Sequence, residues 1–256
     1  MEDAVRSERH GDTITVTLCN PAKRNALSLS VLQALTAAFA SAGESDATGI
    51  ILAAEGPVFS AGHNFGEMKD APFADAHELF TVCSNLMQMM HTVQQPIVAR
   101  VHALATAAGC QLVASCDLAV AARSASFAIP GGKGGLFCHT PLVAVARNLS
   151  RKQALEMAMT GDAVSAETAL SWGFVNAVVD DADLDDAVHG LLARATRGSR
   201  TSKALGKRTF YEQIQMPESE AYVFASAVMA EAVTGPAAQE GIAAFLEKRD
   251  PDFGGR

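Results

Sequence analysis

The chain has 256 residues, 49% of them hydrophobic, and a formal net charge of −8 at pH 7. That composition supplies a sizeable core and excludes a disordered chain. The acidic balance argues against nucleic acid or an anionic membrane as the main partner, and no apolar run approaches the roughly 20 residues that a spanning helix needs.

The opening "MEDAVRSERHGD" is charged. It has no apolar segment of the secretory kind and lacks the Arg-rich, acid-poor character of a transit peptide. Cys19, Cys83, Cys110, Cys116 and Cys138 are scattered, with no metal-ligand spacing. The expectation is a reduced, cytoplasmic protein without a metal.

"DTITVTLC" alternates Ile14, Val16 and Leu18 with threonines, the pattern of a half-buried strand. After the polar loop "NPAKRNALS", Ser28 can cap a helix whose Val31, Leu32, Leu35 and Phe39 share one face and which stops at Gly43. "TGIILAAEG" reads as a buried strand and "PVFSAGHNFGEM" as a small-residue loop. A helix over Asp75 to Val93 precedes the strand "PIVARVH". Next come a short small-residue helix starting at Ala107, then "DLAVAA" and "SFAIP" as strands. Beyond "GGKGG", helices are expected near Pro141–Asn148, Lys152–Thr160 and Ala166–Trp172, then the strand "FVNAVVD" and helices to the end. The order, βαβαβαββ followed by helices, implies an α/β core over residues 1–195 and a helical extension over 196–256 of the same functional unit.

"GGKGG", Gly131 to Gly135, lacks the phosphate-loop spacing and the following Ser or Thr, and it is no dinucleotide fingerprint. G-x-S-x-G is absent, which removes the nucleophile-elbow hydrolases. His77 and His91 read as surface or boundary residues of the long helix, and Met87, Met89 and Met90 as core filler.

Two segments carry more signal. In "FSAGHNFGEM", Ser60, Ala61 and Gly62 let the backbone approach a ligand closely. In "ATAAGCQ", small residues open a helix whose first N–H groups lack intrahelical partners and sit at the positive dipole end. One donor from each would make an oxyanion hole. Taken alone, either segment is explained as well by tight helix–strand packing. Gln111 stands out because a buried amide must satisfy one acceptor and two donors.

In this order, "NPAKRNALS", "EGPVFSAGHNFGEM", "VHALATAAGCQLVASCDLAVA", "SFAIP", "LEMAMTGDAVSAETALSWGFVNAVV" and "EGIAAFLEKRDPDF" resemble the landmarks of the enoyl-CoA hydratase/isomerase (crotonase) superfamily along nearly the whole chain. Among its branches the likeness is nearest to the type 3 domain-containing subgroup, through "AAGCQLVASCD" and "GLFC". The resemblance implies a ClpP-like spiral of ββα units, with a helical C-terminal region that drives assembly as a homotrimer or dimer of trimers. It implies an acyl-CoA thioester as ligand, with coenzyme A arriving as part of the substrate and no other cofactor. The oxyanion N–H groups then map onto His63 and Ala108. Lys23, Arg24, Asn25 and Ala26 would lie beside the coenzyme A adenine and phosphates, and Phe245 and Lys248 near the same moiety. Asp117 matches an aspartate read as structural.

The family's hydratases use two glutamates, one after the second oxyanion segment and one after the proline of "SFAIP". Here those positions hold Gln111 and Gly131. An amide moves no proton near neutral pH and glycine has no side chain. Weak hydration is therefore expected. Glu67, Cys138, His139 and the His63 side chain are the nearby groups that could substitute. Three readings stay open: an acyl-CoA-binding enzyme of the family, a non-catalytic sensor or scaffold, and another family reaction such as isomerisation, thioester hydrolysis or decarboxylation.

Overall fold

The threonine alternation in Thr13–Leu18 puts Ile14, Val16 and Leu18 on the buried side of strand β2, as the two-residue period of an extended chain requires. The computed structural model describes residues 4–254, so the first three residues of the charged opening lie outside it. β2 belongs to a six-stranded sheet ordered β1 (Val5–His10), β2, β3 (Gly49–Ala54), β4 (Ile97–Val101), β6 (Leu118–Ala122) and β9 (Ala177–Val179). β1 pairs antiparallel with β2, and the remaining pairs are parallel. A small second sheet joins β5 (Ala105–Thr106), β7 (Ser126–Ala128) and β8 (Val164–Ser165).

β3 is buried along its whole length, as a central parallel strand should be. Ile50, Leu52 and Ala54 enter the larger core, and Ile51 and Ala53 the smaller one. Helices α1 (Leu29–Glu44) and α3 (Phe73–Thr92) bury Leu32, Leu35, Phe39, Leu86 and Met90 in the larger core. Leu184, Val188 and Leu192 of α8 (Leu184–Ala195) close the smaller one. Gly49 permits that closure, since a Cβ there would sit 2.6 Å from Leu192 Cδ1. Helices lie on both faces of a mostly parallel sheet.

The remaining helices are α2 (Phe65–Met68), α4 (Ala108–Ser115), α5 (His139–Asn148), α6 (Arg151–Thr160), α7 (Ala166–Ser171), α9 (Arg200–Gln213), α10 (Glu218–Thr234) and α11 (Pro236–Glu247). Asp117 ties α9 to the core. Its carboxylate accepts from Ile97 N (2.7 Å), Lys207 Nζ (2.7 Å) and Tyr211 OH (2.9 Å). Lys207 also donates to Gln95 O at 2.9 Å. Burial pulls the Lys207 pKa down against the opposing pull of Asp117, and burial with Asp117 pushes Tyr211 up.

The expected elements are present, with six corrections. β1 falls in the opening stretch that was read only as charged. An edge strand buries little, and its charges guard an otherwise unpaired edge. α4 starts at Ala108, because Ala107 has φ 51° and ψ −120° and cannot be helical. "FVNAVVD" keeps only Ala177–Val179 as strand, and "PGGKG" is a 3-10 turn. α1 continues one residue past Gly43 to Glu44, and α3 runs Phe73–Thr92. No single helix among the described residues is long and apolar enough to cross a membrane, although the bent pair α10 and α11 would pass by length and composition together.

Candidate functional site

Three chain segments meet at the start of α4. The first is the turn after β2, where Arg24 and Asn25 take left-handed backbone conformations (φ 52° and 51°). Asn25 makes this possible by turning its amide inward, where Nδ2 donates to Glu55 O (2.8 Å) and Val58 O (3.0 Å) and Oδ1 accepts from Asn20 N (2.9 Å). Asn25 is therefore a buried brace, while Lys23 and Arg24 stay exposed and Ala26 is half-buried.

The second segment is Phe59 to Asn64. Ala61 N donates to Arg24 O (3.0 Å), Leu27 N to Gly62 O (2.8 Å), and Ser60 Oγ to Asn25 O (2.8 Å). The third is β5 and the first turn of α4, joined to the second by Thr106 N donating to Ser60 O at 3.0 Å. Small residues here are a steric requirement. A Cβ on Gly109 would lie 2.6 Å from both Ser60 O and Ser60 Cβ, and one on Gly62 would lie 2.8 Å from Ala107 Cβ and 3.2 Å from Ala108 N. Ala107 donates its N–H to Ala128 O at 2.9 Å and holds a backbone conformation that costs a non-glycine residue about 1–3 kcal/mol.

The consequence concerns two donors. Among the described residues neither His63 N–H nor Ala108 N–H has a hydrogen-bond acceptor. The structure brings their segments side by side at the positive end of α4. The His63 ring packs edge-on against Phe80, with Nδ1 3.3 Å from Leu27 O, where it donates, and Nε2 buried without a partner. Burial lowers the His63 pKa, opposed by Leu27 and Glu67, so the ring is neutral near pH 7.

Gln111 is only 3% exposed and projects from the first turn of α4. Its Oε1 lies 4.0 Å from the Cys83 thiol, which donates weakly to it. Its Nε2 has no hydrogen-bond partner among the described residues, and Gln111 lines a cavity of about 770 Å3 between α3, α4, α5 and α9. Gly131 stands in a crowded turn. A Cβ there would meet Leu136 O at 2.1 Å and Cys138 Sγ at 2.7 Å, and its N–H donates to Cys138 Sγ at 3.2 Å. The turn that a side chain at 131 would enter is already filled by residues 136–138.

The other expected residues are placed as follows. Glu67 accepts from Leu29 N at 2.9 Å and so caps the first turn of α1. Cys138 is buried at the head of α5, and burial pushes its thiol pKa up. His139 is exposed against Phe137. Phe245 and Lys248 sit at the exposed end of α11, which packs on α9 and α10, and no hydrogen bond or ion pair among the described residues links them to the Lys23–Ala26 turn. No cluster of His, Cys, Asp or Glu able to hold a metal occurs among the described residues.

The sequence reading missed the cavity and the partners of Asp117. The small residues of α4 and a lone buried amide were the only signals, because the wall comes from four helices far apart in the chain.

Comparison with known proteins identifies the family and the fold. The profile of the enoyl-CoA hydratase/isomerase family matches residues 8–256. The chain is 46% identical over 253 residues to the rat (Rattus norvegicus) mitochondrial enoyl-CoA hydratase domain-containing protein 3, covering 98% of this chain and 84% of the rat protein. The crystal structure of an enoyl-CoA hydratase from Mycobacterium smegmatis superposes with a TM-score of 0.95 at 43% identity, over 98% of this chain and 99% of that one. That of human enoyl-CoA hydratase domain-containing protein 3 superposes at 0.94 and 42%, over 98% and 100%. The fold is thus the crotonase fold, and the chain belongs to the enoyl-CoA hydratase/isomerase family, with relatives of the type 3 branch at 46% identity.

Proposed function

We propose that this protein binds an acyl-CoA thioester, polarises its carbonyl through the backbone N–H groups of His63 and Ala108, and is a poor hydratase. One observation carries the reading: two unsatisfied backbone donors meet at the head of α4, while Gln111 and Gly131, read as the positions of the family's proton-transfer carboxylates, hold an amide and no side chain. Two donors aimed at one oxygen stabilise the anion that forms when a thioester is enolised or attacked. Without a group to move the proton, a factor of about 10² to 10⁴ in rate is lost. Lys23 and Arg24, exposed beside the site, offer positive charge to the coenzyme A phosphates. No cofactor beyond coenzyme A enters this reading.

Steady-state hydration of short and medium enoyl-CoA substrates, with calorimetric titration of the matching saturated thioesters, tests it. Binding with hydration at least a hundredfold below a glutamate-bearing family member supports the proposal. Equal turnover refutes it.

A second reading, another reaction of the family with the His63 imidazole as proton carrier, draws on its neutral, partnerless Nε2. Isomerisation, thioester hydrolysis or decarboxylation that disappears in His63→Phe would favour it. Thioester binding without any turnover would favour a sensor, and no binding a scaffold.

The assembly proposed is a homotrimer or a dimer of trimers. α10 buries none of its residues within the chain, though it carries Tyr222, Val223 and Met229, and α11 adds Phe245 and Leu246. Apolar helix faces of this size call for cover. Light scattering on the eluting protein would give the mass. A cytosolic location is also a proposal, set against relatives whose names place them in mitochondria. Cell fractionation decides between the two.

A further inference from the structure

The helix-walled cavity has a direction. At one end Cys83 of α3 touches Gln111 of α4, and at the other His91 of α3 stacks on Tyr211 (centroids 3.9 Å apart, 8° between planes), whose hydroxyl donates to Asp117. α3 and α4 therefore run the same way along the cavity, away from the Ala108 N–H. Side chains on a helix lean toward its N-terminus, so Gln111 stands between the donors and the cavity. From Ser84 to His91 the α3 wall rises about 10 Å.

The wall is polar in a particular manner. At its far end the charged groups are already committed, with Lys207 bonded to Asp117 and Asp117 holding three donors. The His91 ring nitrogens differ. They have no hydrogen-bond partner among the described residues and are not sealed from the cavity. Burial lowers the His91 pKa, opposed by Asp117 and reinforced by the Lys207 and Arg147 charges, which favours the uncharged ring that can donate and accept. Nearer the entrance, the Gln111 amide nitrogen is likewise without a partner. A bare hydrocarbon chain would leave these groups dehydrated and unpaired, which disfavours it.

We propose that this cavity receives the acyl group of the thioester and selects one bearing a neutral hydrogen-bonding group, a hydroxyl or ketone, at its far end, with His91 as the specificity-determining partner. The inference rests on the acyl-CoA reading above. Arg147 also lines the cavity and its charge reaches His91, but its guanidinium is already bonded to Val143 O (2.8 Å) and Gln215 Oε1 (3.5 Å), which leaves it less available as a counter-ion for a terminal carboxylate.

Calorimetric titration of the full chain with hexanoyl-CoA, 6-hydroxyhexanoyl-CoA and adipoyl-CoA tests this. The hydroxyacyl thioester is expected to bind about tenfold more tightly than hexanoyl-CoA. His91→Phe keeps a ring against Tyr211 but removes both nitrogens, and should bring those two affinities to parity. Hexanoyl-CoA binding as tightly as its hydroxylated form, or adipoyl-CoA binding best, would overturn the inference while leaving the thioester reading intact. A His91→Phe protein that keeps the tenfold ratio would remove His91 from the role. Failure of all three thioesters to bind overturns both readings.

Discussion

The two ends of α4 are built on opposite terms. Toward its C-terminus four successive carbonyls find added donors: Gln111 O takes Ser115 Oγ, Leu112 O the Cys116 thiol, Val113 O the Cys116 N–H and Ala114 O the Asn148 amide. Asp117, just beyond, gathers Ile97, Lys207 and Tyr211. At the N-terminus the chain does the reverse. It enters through a strained Ala107, packs glycine against Ser60 with no room for a methyl group, and leaves the Ala108 N–H open. An anchored end holds the helix still, so the other end can keep strain and unsatisfied donors where a ligand would use them.

The anchored end is expected to matter most for stability. Asp117→Ala strands the Lys207 ammonium, whose side chain is 9% exposed, and the Ile97 N–H. Removing one partner of such a pair costs about 3–5 kcal/mol, which urea denaturation would show. The open end should be next. Gly109→Val drives side-chain atoms into Ser60, with an expected loss of about 1–3 kcal/mol. Unlike Asp117→Ala, it should abolish thioester binding by separating the two donor segments, which calorimetry checks.

A smaller effect sharpens the chemical side. Gln111→Glu restores one carboxylate but not its partner, so enoyl-CoA hydration should rise by less than about tenfold, or roughly 1.4 kcal/mol of barrier. Adding Gly131→Glu should not complete the pair, because the new Cβ meets Leu136 O. A large gain from the double variant would show that the turn yields easily. Smallest is Ala107→Gly, which relieves the strain of φ 51° against glycine's own entropy cost and should raise unfolding free energy by about 0.5–1 kcal/mol net in the same denaturation assay.

Much of this was legible in the chain. Ser28 as cap and Val31, Leu32, Leu35 and Phe39 as a buried face are local facts, spaced as a helix spaces them, and the structure reproduces them. β1 was not legible, because an edge strand with five exposed residues has no alternation to read. Asn25 looked like part of a basic ligand loop, yet its amide serves carbonyls some thirty residues away, and no local pattern encodes such a partner. His91 read as a boundary histidine, and it is one. What escaped notice was the cavity on its far side, which exists only once α9 has been docked by Asp117.

The crowded turn at Gly131 also bears on how this branch of the family could change. Once residues 136–138 settled against the glycine, the backbone took the space that a side chain at 131 would need. A carboxylate placed at that position would require a shifted backbone before it could move any proton. The glycine works as a ratchet: any single substitution that adds a side chain at 131 meets filled space first.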